Sequence, residues 1–179
     1  MSEPKQRSRA LDVGAGIGRV TSDVLLHLVS DVVILEPVES FIREAYALGR
    51  SSADLHPEEN PGKNHVRWKG IHDKSKGVTF LQGTLQSFDP SAPLQTSKLI
   101  GFVGHEPTGD DQISGFDVIW CQWCLGHLND EDLVAFLGRS KRALRASSTS
   151  VIMVKENLCA DLNGGPNTIF DAEDSSLTR

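Results

Sequence analysis

Apolar residues fall along this chain in short bursts separated by longer stretches of mixed polarity. The first burst is Leu11–Val13, where two aliphatic residues flank Asp12. Val32–Leu35 (VVIL), Val78–Leu81 (VTFL), Phe116–Trp120 (FDVIW) and Val151–Val154 (VIMV) follow. Each is too short for a helix and is bounded by turn or polar residues, so each reads as a strand. Between them the spacing becomes helical: Ile17, Val20, Val24, Leu25 and Leu28 after the first strand, then Phe41, Ile42, Ala45 and Leu48 within Val38–Leu48. A third helix over Asp130–Leu144 repeats Leu133, Phe136, Leu137 and Leu144. Asn129 stands before it as an N-cap, with Asp132 three places on. Strand–helix alternation of this kind predicts an α/β fold, a doubly wound and mostly parallel sheet of about five strands.

Two stretches break the pattern. Residues 51–77 carry Pro57, Asn60-Pro61-Gly62 and scattered charges. Residues 90–114 hold Pro90, Pro93, Pro107, Gly101, Gly104 and Gly109 around a brief LIGFV at 99–103. Structureless loops this long are uncommon, so both are expected as surface insertions or disorder within one domain over 1–179.

The turn after the first strand carries the first chemistry. ALDVGAGIGR (10–19) runs an apolar strand into glycines at 14, 16 and 18, with a helical pattern directly after. Small residues there let a backbone approach a ligand, and a new helix presents free N–H groups. The spacing is G-x-G-x-G, not the G-x-G-x-x-G of a dinucleotide site, because position 19 is Arg. S-adenosylmethionine (SAM) is the commonest ligand of such a loop. Glu36 ends the second strand, 22 residues after Gly14, where a carboxylate can accept hydrogen bonds from a ribose diol. A solvated strand-end carboxylate is the alternative. Arg19 could pair with the carboxylate of an amino-acid-like cofactor, or be a surface arginine.

FDVIWCQWCLGHLNDEDL (116–133) leaves the fourth strand for a helix, so Gln122, Trp123 and His127 lie at the carboxyl edge of the sheet, where open α/β sheets bind ligands. Imidazole in general titrates near pH 6.5, which suits His127 to proton transfer; a structural histidine is the alternative. Cys121 and Cys124 form C-x-x-C, but they extend an apolar strand and lack further paired ligands, so they read as buried thiols and no metal site is expected.

Composition narrows the partners. With 18 basic and 24 acidic residues the net charge is −6, which disfavours a nucleic-acid surface. No apolar run is long enough to span a membrane, and the start MSEPKQRSR has no secretion-signal core. Three cysteines suit a reducing compartment. Residues 150–179 hold Lys155 and Arg179 against Glu156, Asp161, Asp171, Glu173 and Asp174, a net of −3 that could line a groove for a cation.

RALDVGAGIGRVT (9–21), FDVIWCQWCLGHLNDEDLVAFL (116–137), VKEN (154–157) and DAEDSS (171–176) together resemble the alpha N-terminal protein methyltransferase family, a branch of the class I SAM-dependent methyltransferases with a Rossmann-like fold. The resemblance implies transfer of methyl groups from SAM to the α-amine of proteins beginning X-Pro-Lys or X-Pro-Arg. It implies that Gly14 and Arg19 hold the methionine part of SAM, Glu36 the ribose, Leu85 and Gln86 the adenine, with Gly16 and Gln122 also touching the cofactor. Trp123 matches an aromatic that packs on the substrate proline, and Asn157 a residue that hydrogen-bonds the substrate terminus. His127 and Asp174 match the acid–base residues, and Asp171 a carboxylate facing the basic third residue. Glu36 stands for a more usual Asp, and Ala172-Glu173 for Asp-Val.

The family also carries an N-terminal helical extension and, after the fifth strand, a closing β-hairpin. Neither is expected here, so the resemblance implies a chain truncated at both ends. The implied partners are N-terminal tails of substrate proteins, met by a monomer in the cytoplasm, with the nucleus also open to it. A small-molecule methyltransferase and an inactive SAM-binding or non-folding fragment are the alternatives.

Overall fold

The computed structural model describes residues 6–54, 67–146, 148–159 and 168–178. Its main sheet has six strands: β1 (Arg9–Val13), β2 (Asp31–Glu36), β3 (Gly77–Gln82), β4 (Lys98–Gly104), β5 (Val118–Gln122) and β6 (Val151–Lys155). Their order is β4-β3-β2-β1-β5-β6, and only β4 runs antiparallel to its neighbour. A π-wound turn over Thr21–Leu25 leads into the short α1 (Leu26–Leu28). The longer helices are α2 (Glu39–Asp54) and α4 (Asp130–Ala143), with a one-turn α3 at Gly109–Ile113.

The central parallel strands β1, β2 and β3 are buried on both faces, while β6 at the edge is largely exposed. Alternate residues of β1 and β2 therefore feed two different cores. Leu11, Val13, Val33 and Leu35 join Phe116, Ile119 and Phe136 on the α4 side. Ala10, Val32 and Ile34 join Ile42, Ala45, Trp68 and Phe80 on the α2 side. Phe136 is fully buried and anchors α4; its truncation to Ala would remove about 3–5 kcal/mol. Asn129 does cap α4, accepting the Asp132 N–H at 2.8 Å.

Three expectations need correction. LIGFV, placed within a loop at 90–114, is the antiparallel edge strand β4. The stretch 51–77 is only partly a loop: α2 continues through it to Asp54, beyond the Leu48 expected. Trp68 and Ile71 are core residues, Trp68 stacking on Phe80 at 5.9 Å between ring centroids. Residues 55–66 of that stretch lie outside the described residues. Finally, a small hairpin does follow the last parallel strand, built from β7 (Ile169–Asp171) and β8 (Ser176–Thr178). It forms its own two-stranded sheet, so β6 remains the edge of the main one.

Sheet order reverses at β1, whose neighbours are β2 and β5. Chain connections leave to opposite faces at that point and open a crevice beyond the carboxyl ends of the strands.

Candidate functional site

Gly14 and Gly16 turn the chain out of β1 at φ of 62° and 56°, a left-handed region that strains any side chain. The turn is fastened to β2, because the N–H groups of Gly14 and Ala15 both donate to the Leu35 carbonyl, at 2.9 and 3.2 Å. The two glycines differ in surroundings. A Cβ on Gly14 would stand 2.5 Å from the Cys124 Cβ, whereas one on Gly16 would meet nothing within 4 Å. Gly16 thus borders open space, and a methyl group there would intrude on whatever fills it.

Glu36 lies beside this space and is almost fully buried. Its Oε2 accepts the Gly16 N–H at 2.8 Å and its Oε1 the Val38 N–H at 2.9 Å. A carboxylate has about four lone-pair positions, so both oxygens can still accept from a ligand hydroxyl. Behind the loop, Asp12 is buried and accepts the Thr21 hydroxyl at 2.7 Å. Burial pushes its carboxyl up to about 7, against the opposing pull of Thr21.

Three cavities meet around Trp123. One of about 430 Å³ is walled by Gly16, Glu36, Phe41, Leu85, Gln86 and His127. A second, about 350 Å³, lies across the glycine loop between Asp12, Arg19 and Gln122. A third, about 340 Å³, holds His127, Glu156, Asn157, Asp174 and Leu177. Trp123 lines all three. The first two fit a nucleoside joined to an amino acid: a buried carboxylate with spare lone pairs on one side, a guanidinium on the other, bare backbone at Gly16 between. The chemistry of this donor set matches SAM.

Arg139 of α4 holds the segment whose Leu85 and Gln86 wall the first cavity. Its guanidinium donates to the carbonyls of Leu85 (2.7 Å), Gln86 (3.1 Å) and Phe88 (2.8 Å). In the second cavity the Trp120 indole N–H donates to the Gln122 side-chain oxygen at 3.3 Å, leaving the Gln122 amide N–H groups for a ligand.

Trp123 itself sits at φ 55°, a costly conformation for a bulky residue. Its N–H donates to the Lys155 carbonyl at 3.1 Å. The next two N–H groups, of Cys124 and Leu125, both donate to Glu156 Oε1 at 2.9 Å. These three bonds tie the end of β5 to the end of β6, and buried Leu125 pins the turn into the core. The indole is left half exposed, with the Lys155 ammonium 4.6 Å and the Arg19 guanidinium 6.0 Å from its ring centroid. Cys121 and Cys124 are buried beneath; their mutual contact and their burial push the Cys124 thiol up.

A tight turn, Leu125–His127, then presents His127 to solvent. The β7–β8 hairpin seats on it: a Cβ at Gly126 would stand 3.2 Å from the Leu177 carbonyl. Asp174, at the tip of that hairpin, accepts the Ser176 N–H at 2.8 Å. The Ser176 hydroxyl and N–H, with a smaller contribution from His127, hold its carboxyl below the usual range. Trp123, His127, Asn157 and Asp174 therefore share one groove. Asp171 does not line it; it stands exposed at the end of β7, accepting the Glu173 N–H at 2.8 Å. Among the described residues no cluster of His, Cys, Asp and Glu could hold a metal ion, and no helix is long and apolar enough to cross a membrane.

Sequence reasoning counted Glu156 among the acidic residues of 150–179 that could line a groove for a cation but missed its hold on the turn after β5, and it missed Arg139 altogether. Glu156 lies inside the VKEN run, and the run is the signal that could have found it. Arg139 gives no local signal, since it acts on carbonyls about 50 positions away.

Comparison with known proteins agrees with this geometry. Residues 1–179 match the model of a family described as AdoMet dependent proline di-methyltransferase. The chain is 33% identical to alpha N-terminal protein methyltransferase 1 of Arabidopsis thaliana, covering 95% of this chain and 45% of that protein. It is 34% identical to N-terminal Xaa-Pro-Lys N-methyltransferase 1-B of Xenopus laevis, covering 95% and 54%. A solved SAM-dependent methyltransferase from Leishmania major superposes with a TM-score of 0.60 at 29% identity, over 96% of this chain and 49% of the other. The chain thus spans about half the length of the curated relatives it matches. With strand order, glycine loop and full-length family match in agreement, this chain belongs to the AdoMet-dependent proline di-methyltransferase family.

Proposed function

We propose that this chain transfers methyl groups from SAM to the N-terminal α-amine of proteins beginning X-Pro-Lys or X-Pro-Arg. The observation that carries the reading is the meeting of three cavities at Trp123, two suited to a nucleoside amino acid and one groove open to a peptide. The names of the Xenopus and Arabidopsis relatives support the same reading.

In this reading Gly14, Gly16, Arg19 and Gln122 hold the methionine part of the cofactor. Glu36 accepts from the ribose, and Leu85 and Gln86 flank the adenine. When bound, SAM supplies an electrophilic methyl group on a sulfonium. Trp123 offers its exposed face to the substrate proline, and Asn157 hydrogen-bonds the terminus. A free α-amine has a pKa of about 7.7–8.0, so much of it arrives protonated and its nitrogen lone pair is blocked. His127 accepts that proton at an imidazole nitrogen. Asp174, kept anionic by Ser176, steadies the resulting imidazolium. Asp171, outside the groove, attracts the cationic third residue. The partners are substrate tails, met by a monomer in the cytoplasm or nucleus.

The test is a mass-spectrometric assay of this chain with SAM and a Ser-Pro-Lys peptide, free or N-acetylated, alongside calorimetric titration of SAM. Methylation of the free peptide alone is expected. SAM binding without methylation of either peptide would overturn the reading and favour a small-molecule acceptor or a non-catalytic chain.

A further inference from the structure

Glu156 is a carboxylate with unequal oxygens. Its Oε1 takes both turn N–H groups, of Cys124 and Leu125, at 2.9 Å. Its Oε2 has no hydrogen-bond or ion-pair partner among the described residues, and Glu156 lines the groove beside Asn157 and Asp174. The neighbouring cation, Lys155, does not neutralise it, because that ammonium rests on the Trp123 ring. A half-buried carboxylate oxygen without a donor in an otherwise partly apolar groove is an acceptor prepared for a cationic ligand group.

Position narrows which cation. Glu156 grips the two residues that follow Trp123, in the turn whose Trp123 and His127 line both the groove and the cavity walled by Gly16 and Glu36. It therefore stands at the inner end of the groove, beside the cofactor space. Asp171 lies outside the groove lining, on the exposed hairpin. A peptide laid between them has its terminus at Glu156 and its third side chain toward Asp171.

We propose that Glu156 serves the peptide site twice: Oε1 fixes the turn that carries Trp123 and His127, and Oε2 receives the substrate's α-ammonium before its proton passes to His127. This rests on the function proposed above. Glu156 stays anionic throughout; it positions the terminus and takes no proton.

The substitution Glu156→Gln separates the two tasks. The two backbone N–H groups require an acceptor, so the glutamine carbonyl must take the place of Oε1. Its NH₂ then points where Oε2 pointed, a donor opposed to a donor. E156Q is expected to keep the melting temperature and SAM affinity of the unmodified chain while its Kd for a Ser-Pro-Lys peptide, by calorimetry, rises about 10- to 100-fold. E156A removes both tasks, so its melting temperature falls as well. A double-mutant cycle with a des-amino peptide assigns the contact. If Glu156 meets the α-ammonium, deaminating the peptide costs the unmodified chain about tenfold or more in Kd and costs E156Q little.

Equal peptide affinity in the unmodified chain and E156Q would overturn this proposal and leave the functional reading standing. Additive effects in the cycle would overturn it too, assigning the charge effect to another group. An unmodified chain that ignores the peptide would overturn the functional reading, and this proposal with it.

Discussion

The glycine-loop side of the site and the groove side are built in opposite ways. The first comes from one continuous run, β1 through β2, whose β1 and β2 residues are buried throughout and whose turn N–H groups donate to the Leu35 carbonyl and the Glu36 carboxylate. The second is assembled from three separated segments: the turn after β5, the residues after β6, and the β7–β8 hairpin. Its side chains, Trp123, His127, Asn157 and Asp174, are all exposed. The glycine-loop side is fixed by the same interactions that hold the sheet together. The groove side is held by a few contacts to one turn, so its residues can change with little effect on the core.

That contrast predicts where substitutions will act. Gly14→Ala should have the largest effect, adding a left-handed strain to a 2.5 Å collision with Cys124. A melting temperature lower by about 10 °C and SAM affinity lower by roughly 100-fold are expected. Gly16→Ala carries the strain without the collision, so it should lower melting by only about 2–4 °C yet still weaken SAM. Scanning calorimetry and SAM titration on the pair would break the comparison if both variants lost the same stability.

On the groove side, His127→Asn should lower kcat by about 100-fold with little change in melting temperature. A matching loss of stability would mean that His127 supports the fold instead. The smallest effect concerns Asp12. Its folded-state carboxyl titrates at about 7, above the ordinary 3.8, so the native chain holds a proton that the unfolded chain has released between those values. Stability from this group therefore falls as pH rises from about 4 to about 7. Asp12→Asn should flatten the melting temperature by a few degrees across that window, which thermal scans at several pH values would read.

The same contrast explains what the sequence could convey. β1 with its glycine turn was legible because strand, turn and helix pattern are contiguous. α4 was legible because its apolar spacing and the Asn129 cap report its start directly. β4 was obscured by neighbouring prolines and glycines, and as an edge strand it shows no clean burial alternation. Trp68 and Ile71 are lone apolar residues in a polar stretch, and a period needs several. The hairpin strands are three residues each, β7 exposed and β8 half-buried, so no apolar run announces them. The tasks of Glu156 and Arg139 depend on backbone groups 31 to 54 positions away, a relation that no local spacing records.

Trp123 forms a wall of three cavities at once, and that carries a thermodynamic consequence. A ligand that turns the indole in one cavity alters the free energy of filling the others. By linkage the influence is mutual, so whatever factor a peptide contributes to cofactor affinity, the cofactor returns to peptide affinity. Under the proposed function this one aromatic ring would couple the two binding equilibria, and titrating either ligand in the presence of the other should measure the same coupling constant.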